Sequence, residues 1–287
     1  MSVWFVTGSS RGFGRSLVRA ALDAGHHVVA TARKPETLAD EFGDRVLAVP
    51  LDVTDPEAVR DALHAGVERF GRIDVVVNNA GYANVAPIET GDEADFRTQF
   101  ETNFWGVYHV SRAAIAQLRT QGGGTIVQFS SIGGRVGGSP GIASYQAAKF
   151  AVDGFSRVLA AETAPFGIRV MVVEPSGFAT DWAGASMTIH DIPADYDSTI
   201  GVMQRLVRAN DAGAAGDPDR AAHIIVEAAE RKNPPSHLPV GVNAVEMARA
   251  YSERQLAESA AWATVGRSAD FAEPYPADFP PDAPADR

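Results

Sequence analysis

Short, continuously apolar runs recur along this chain, each separated from the next by enough residues for one helix, and that rhythm restricts the fold more than any other feature. The runs are Val3-Trp4-Phe5-Val6, Val28-Val29-Ala30-Thr31, Val46-Leu47-Ala48-Val49, Ile73 to Val77, Thr125 to Phe129, Ile168 to Val173 and Leu238 to Val242. Strands without apolar–polar alternation are buried on both faces, and strands alternating with helices build a parallel sheet covered on both sides. Right-handed crossovers then place the helices on the two faces. The expected fold is a doubly wound, seven-stranded parallel α/β sheet in a single domain over residues 1–267.

Local signals sharpen the elements. Gly25 closes the first helix, as helix-ending glycines do. Thr54-Asp55-Pro56-Glu57 predicts a helix capped by Thr54, with Glu57 in the reciprocal position. Helices are expected over 96–118 and 143–163. Between Gly177 and Gly216 the alternation lapses; Tyr196, Ile200, Met203 and Val207 form an apolar stripe at helical spacing, read either as a helix packed on the core or as a lid, over about 183–216, above an apolar pocket. Residues 268–287 hold five prolines, five acidic residues and one arginine, and predict an extended or disordered tail.

Composition removes several classes of function. With 25 basic against 36 acidic residues, a net charge of −11 and no Lys/Arg-rich run, nucleic acid is not an expected partner. The absence of cysteine excludes disulfides, thiolate nucleophiles and Cys-ligated zinc. The seven histidines, at 26, 27, 64, 109, 190, 223 and 237, show no metal-ligand spacing, so no metal site is expected. No signal-peptide pattern or membrane-spanning run is evident, which predicts a soluble cytoplasmic protein.

Two stretches carry chemistry. Thr7-Gly8-Ser9-Ser10-Arg11-Gly12-Phe13-Gly14 lies between a strand and a helix. Glycines there let the backbone approach a pyrophosphate while the helix N-terminus supplies N–H groups and partial positive charge. Far along the chain, Tyr145 and Lys149 stand four residues apart, on one face of a helix. A free phenol, with a pKa of about 10, exchanges protons poorly near neutrality, and a neighbouring cation lowers that value.

Taken in order, Thr7-Gly8-xxx-Gly12-x-Gly14, Asp52-Val53, Asn78-Asn79-Ala80-Gly81, Asn103, Ser131, Tyr145-xxx-Lys149 and Pro175-xxxx-Thr180 resemble the short-chain dehydrogenase/reductase family over residues 3–245. The resemblance implies a Rossmann-type fold and hydride transfer between a nicotinamide cofactor and a carbonyl or secondary alcohol. Tyr145 would be the general acid/base, Lys149 would lower its pKa and hold the nicotinamide ribose, Ser131 would bind the substrate oxygen, and Asn103 would hold a water that links the lysine to solvent. It further implies cofactor contacts from Gly8, Ser10, Arg11, Gly12, Phe13, Gly14, Arg33, Asp52, Val53, Asn79, Ala80, Gly81, Pro175, Gly177, Phe178 and Thr180. The segments Asn103–Gly106, Ser130–Gly134 and Glu174–Trp182 look like the 17β-hydroxysteroid-dehydrogenase-like and retinol-dehydrogenase-like branch, and the family implies a homodimer or homotetramer.

Two departures from the family pattern matter. Ser131 stands 14 positions before Tyr145, one more than usual, which leaves Ser130 as its rival. Pro175-Ser176 replaces the usual Pro-Gly, which raises the question of the backbone at Ser176. At the end of the second strand, where NAD sites place a carboxylate, this chain has Arg33 and Lys34, and Arg11 sits in the glycine loop. Those cations suit a 2′-phosphate and predict NADP(H) over NAD(H). A non-catalytic NADP-binding regulatory protein is the alternative on this fold, although such proteins lose the tyrosine or lysine; a lyase or dehalogenase would replace the lysine with arginine and alter the glycine loop.

Overall fold

A computed structural model describes residues 1–180, 187–205 and 216–281, the side chains of residues 39 and 40 apart. Its sheet has seven strands, all parallel: β1 Val3–Val6, β2 His27–Ala32, β3 Val46–Pro50, β4 Val75–Asn78, β5 Gly124–Phe129, β6 Ile168–Pro175 and β7 His237–Val240. Their order is β3-β2-β1-β4-β5-β6-β7. The chain winds outward in one direction from β1 and in the other from β4. A crevice therefore opens where the two meet, at the carboxyl ends of those strands.

Strand residues alternate between two cores. Trp4, Val6, Val28 and Ala30 pack with helix α1 (Gly12–Asp23) and the helix Pro218–Ala229 on one face. On the other, Val3, Phe5 and Val29 pack with α3 (Pro56–Phe70) and α5 (Gly106–Thr120). Between β2 and β3 lies α2 (Glu36–Phe42), and after β4 comes α4 (Glu93–Phe100). The short α6 (Gly133–Val136) and the long α7 (Ala143–Thr163) follow β5. Among the described residues no helix is long and apolar enough to cross a membrane.

Several local expectations are corrected. The cap of α3 is Asp55, whose carboxylate accepts from the N–H groups of Glu57 and Ala58, while Thr54 turns back to donate to Asp52. With Pro56 occupying the first helical turn, Asp55 is the residue left in extended conformation, as an N-cap must be. The helix expected over 96–118 is interrupted: between α4 and α5, Glu101–Trp105 form a turn of π-helix. The seventh strand stops at Val240 because Gly241, at φ 96°, turns the chain and Val242 begins a helix running to Ala261.

Part of the stripe proposed as a lid is described. Ile200 is buried, close to Gly141 and facing the same space as Val85. Tyr196 donates to Glu89 at 2.5 Å. Val207 and residues 183–186, with Trp182, lie outside the described residues. In the tail, the Phe279 ring sits edge-on to Trp262 at 5.9 Å.

Candidate active site

The crevice at the β1/β4 junction widens into a cleft of about 1180 Å³ reaching from the glycine loop to α7. Its first wall is main chain. Gly8 and Gly12 hold φ values of 68° and 51°, which favour glycine. A side chain on Gly8 would put its Cβ 2.9 Å from the Ala80 Cα, and one on Gly14 would overlap the Gly8 carbonyl. Thr7 and Asn79 lock the loop to β4: Thr7 Oγ1 accepts from the N–H groups of Asn79 and Ala80, and Asn79 Nδ2 donates to the Thr7 and Gly8 carbonyls. Behind them, buried Asn78, Ser111 and Gln128 hydrogen-bond one another, a polar support that the Asn-Asn pair alone does not reveal.

Every residue expected to touch cofactor, apart from Gly14, lines this cleft; Gly14 lies directly behind Gly8. Arg11 and Arg33 are among the lining residues and Lys34 is not. Asp52 keeps its carboxylate on the Thr54 N–H and hydroxyl at 3.0 and 2.8 Å. The rings of Phe13, Phe129 and Phe178 pack together, with Phe13 and Phe178 centred 4.9 Å apart. Thr180 lies 3.5 Å from the position a Gly12 Cβ would take. Ser176 has an ordinary backbone, since no described non-glycine residue has positive φ, so serine replaces the family's glycine without strain.

The second wall is made of side chains from β5, α6 and α7. The Tyr145 phenol is buried and hydrogen-bonded to Ser131. Burial pushes it up to about 12, with the Ser131 bond acting in the opposite sense. One turn on, Lys149 is 4 % exposed; its Nζ donates to the Phe129 carbonyl at 2.6 Å and lies 5.7 Å from the centre of the Tyr145 ring. Burial brings this ammonium down to about 8. Tyr145 is thus raised in this structure, and its desolvation is the largest cause.

The two serines differ in their partners. Both line the cleft, but Ser130 is buried and donates to the Lys149 carbonyl at 3.1 Å, whereas Ser131 is bonded to Tyr145. In the segment before Tyr145, Gly137, Gly138 and Gly141 all have positive φ. Asn103 sits in the π-turn, fully buried, with Oδ1 accepting from Tyr82 N–H at 3.0 Å and Nδ2 donating to the Tyr82 carbonyl at 2.8 Å. A Cβ on Gly81 would lie 2.5 Å from that Oδ1 and 3.5 Å from Lys149 Nζ, so Asn103 and Lys149 face the same small space.

Two features were not legible in the sequence. Gln146, Asn243 and Met247 line the cleft, the last two from the helix after β7. Arg135, two turns past β5, donates through Nε to both carboxylate oxygens of Glu174 at 3.0 Å. Glu174 is buried at the end of β6, and desolvation raises its pKa against the pull of Arg135. His237 pairs with Asp153 at 2.5 Å, and these two with Glu174 bring ligand-type atoms within 4.8 Å of one another. The two carboxylates are paired with Arg135 and Arg157.

A dinucleotide fits this wall. Among the described residues no side chain caps the N-terminus of α1, the glycines admit close approach of a phosphate, and Arg11 and Arg33 line the same cleft. Comparison with known proteins agrees. Residues 2–188 match the short chain dehydrogenase family. Oxidoreductase BOA17 of Botryotinia fuckeliana (strain B05.10) is 47% identical over 264 residues, covering 91% of this chain and 96% of that one. Among solved structures, a short-chain dehydrogenase from Streptomyces avermitilis superposes with a TM-score of 0.86 at 36% identity, covering 94% of this chain and 100% of the other. A short chain dehydrogenase from Burkholderia cenocepacia J2315 in complex with NADP gives 0.70 at 28% identity, with 90% and 96% covered. A 3-ketoacyl-(acyl-carrier-protein) reductase from Brucella melitensis complexed with NADH gives 0.69 at 26% identity, with 83% and 95% covered. A seven-stranded parallel sheet, a glycine-built dinucleotide wall and these likenesses together make the chain an oxidoreductase of the short-chain dehydrogenase/reductase family.

Proposed function

We propose that the protein interconverts a carbonyl compound and its secondary alcohol with NADP(H), using Tyr145 as general acid/base. The observation that carries this reading is that Ser131, Tyr145 and Lys149 converge on the same cleft that begins at the glycine loop. Bound cofactor supplies or accepts the hydride. The chain's own groups handle the proton and the oxygen. Tyr145, buried and neutral, carries the proton that a reduced carbonyl oxygen needs. The Ser131 hydroxyl is a second donor beside it, placed to stabilise charge developing on that oxygen. Lys149 keeps a cation near the phenol and, with Asn103, supports proton exchange with the surroundings.

The test is reduced-nicotinamide consumption with a panel of ketones and aldehydes. Tyr145→Phe should lose turnover by about 10²–10⁴-fold while NADPH affinity is largely kept. Near-normal turnover in that variant would overturn the assignment, and tight NADPH binding by the wild type without turnover of any carbonyl would favour a regulatory role instead.

Arg11 and Arg33 are the basis for NADP(H) as the preferred cofactor, since their guanidinium groups match a phosphate monoester in geometry and charge. In kcat/KM, NADPH should exceed NADH about tenfold or more, and Arg33→Ala should remove most of that margin. Equal efficiency of the two cofactors in the wild type would sink the preference.

A further inference from the structure

Gln146 directly follows Tyr145, is 7 % exposed and lines the cleft. Its Oε1 accepts from the Ser139 N–H at 3.2 Å, which fixes the oxygen end of the amide and leaves Nε2 as the donor end. Among the described residues that Nε2 has no hydrogen-bond partner. A buried donor left unmet is destabilising, so such a group in a binding cleft calls for a partner from outside the chain.

Its position says what that partner is attached to. A Cβ built on Gly133 would stand 3.0 Å from Gln146 Nε2 and 3.5 Å from Ser131 Oγ. The amide nitrogen is therefore no farther from the serine oxygen than those two distances placed end to end. Ile142, Val136 and Met247 line the same cleft, with Ser139 and Asn243. Since the donor is a neutral amide, a neutral oxygen satisfies it without burying an unpaired charge.

We infer that Gln146 is a specificity residue that donates to a second oxygen of the substrate, so that the carbonyl compound taken by this cleft bears an ester or second ketone oxygen close to the reacting carbon, as a β-keto ester does. The inference rests on the oxidoreductase reading of the same cleft. It adds which carbonyl compounds are chosen and by which atom.

The experiment compares kcat/KM for a β-keto ester with that for a plain ketone of equal chain length, in the wild type, Gln146→Met and Gln146→Glu. Gln146→Glu keeps the acceptor for Ser139 and removes the donor, so it separates the two roles of the amide. In both variants the preference for the β-keto ester should fall about tenfold or more, as it does when a site built to hydrogen-bond a substrate group loses that bond. An equal change for both substrates would overturn the assignment. Calorimetric titration of the corresponding β-hydroxy ester into NADP-loaded protein reads the same contact without turnover. Binding that weakens in both variants, in a protein that turns over no carbonyl, would refute the oxidoreductase reading while upholding the Gln146 contact. Binding unchanged in both variants would refute the contact whatever the turnover.

Discussion

At the glycine-loop end of the cleft the wall is backbone, and its polar groups are tied to one another: Thr7, Asn79 and Ala80 close a set of short hydrogen bonds around Gly8. At the α7 end the wall is side chains, and one of them, Gln146, has a buried donor with no partner among the described residues. Backbone walls admit few residue types, because a Cβ has nowhere to go; side-chain walls can be rebuilt by substitution while the scaffold stands. The first end accordingly suits a ligand common to many relatives, and the second a ligand particular to this chain.

The heaviest blow to the side-chain end should come from Arg135→Met. It leaves the Glu174 carboxylate buried without its cation, beside the turn that carries Ser131, and should cost about 3–5 kcal/mol near neutral pH. Burial already raises the Glu174 pKa, so the folded state holds that proton more tightly than the unfolded chain and stability is lost as pH rises. Without Arg135 this trend steepens, and the deficit of the variant should shrink as the solution is acidified from about pH 8 to about pH 5. Urea denaturation at the two pH values measures it, and a deficit independent of pH would mean that the ion pair is not its source.

Against the backbone end, Gly8→Ala is the sharper probe. The positive φ and the approach to Ala80 together should cost about 2–3 kcal/mol, and the same variant should weaken NADPH binding. A stable protein with unaltered NADPH affinity would show that this wall tolerates side chains after all, and the contrast between the ends would collapse.

The smallest effect tests the seam between the two. Lys149 binds its proton less tightly folded than unfolded, so its contribution to stability grows as pH rises from about 8 towards 10.5. Tyr145, raised, works the other way, between 10.0 and about 12. From about pH 8 to about pH 9.5 the lysine effect stands nearly alone, and the wild type should gain roughly 1–2 kcal/mol on Lys149→Met. A constant gap between the two unfolding midpoints would count against burial as the cause.

The sequence by itself determined the sheet, the glycine loop and the pair on α7, because each is written in local spacing: apolar runs at strand length, glycines between strand and helix, a tyrosine and a lysine one turn apart. The helix Ala143–Thr163 matches its expected limits to the residue. Local spacing was misleading where two residues competed for one role, as Thr54 and Asp55 did for a cap, and silent where a turn of π-helix had to swing Asn103 towards Tyr82. Which serine meets Tyr145, and that Arg135 meets Glu174 and Met247 meets the cleft, only the tertiary structure decided. Those contacts join β5, α6, α7, β6 and the helix after β7 across long separations in sequence, and it is burial and packing between elements, not periodicity within one, that fixes which side chains share a space.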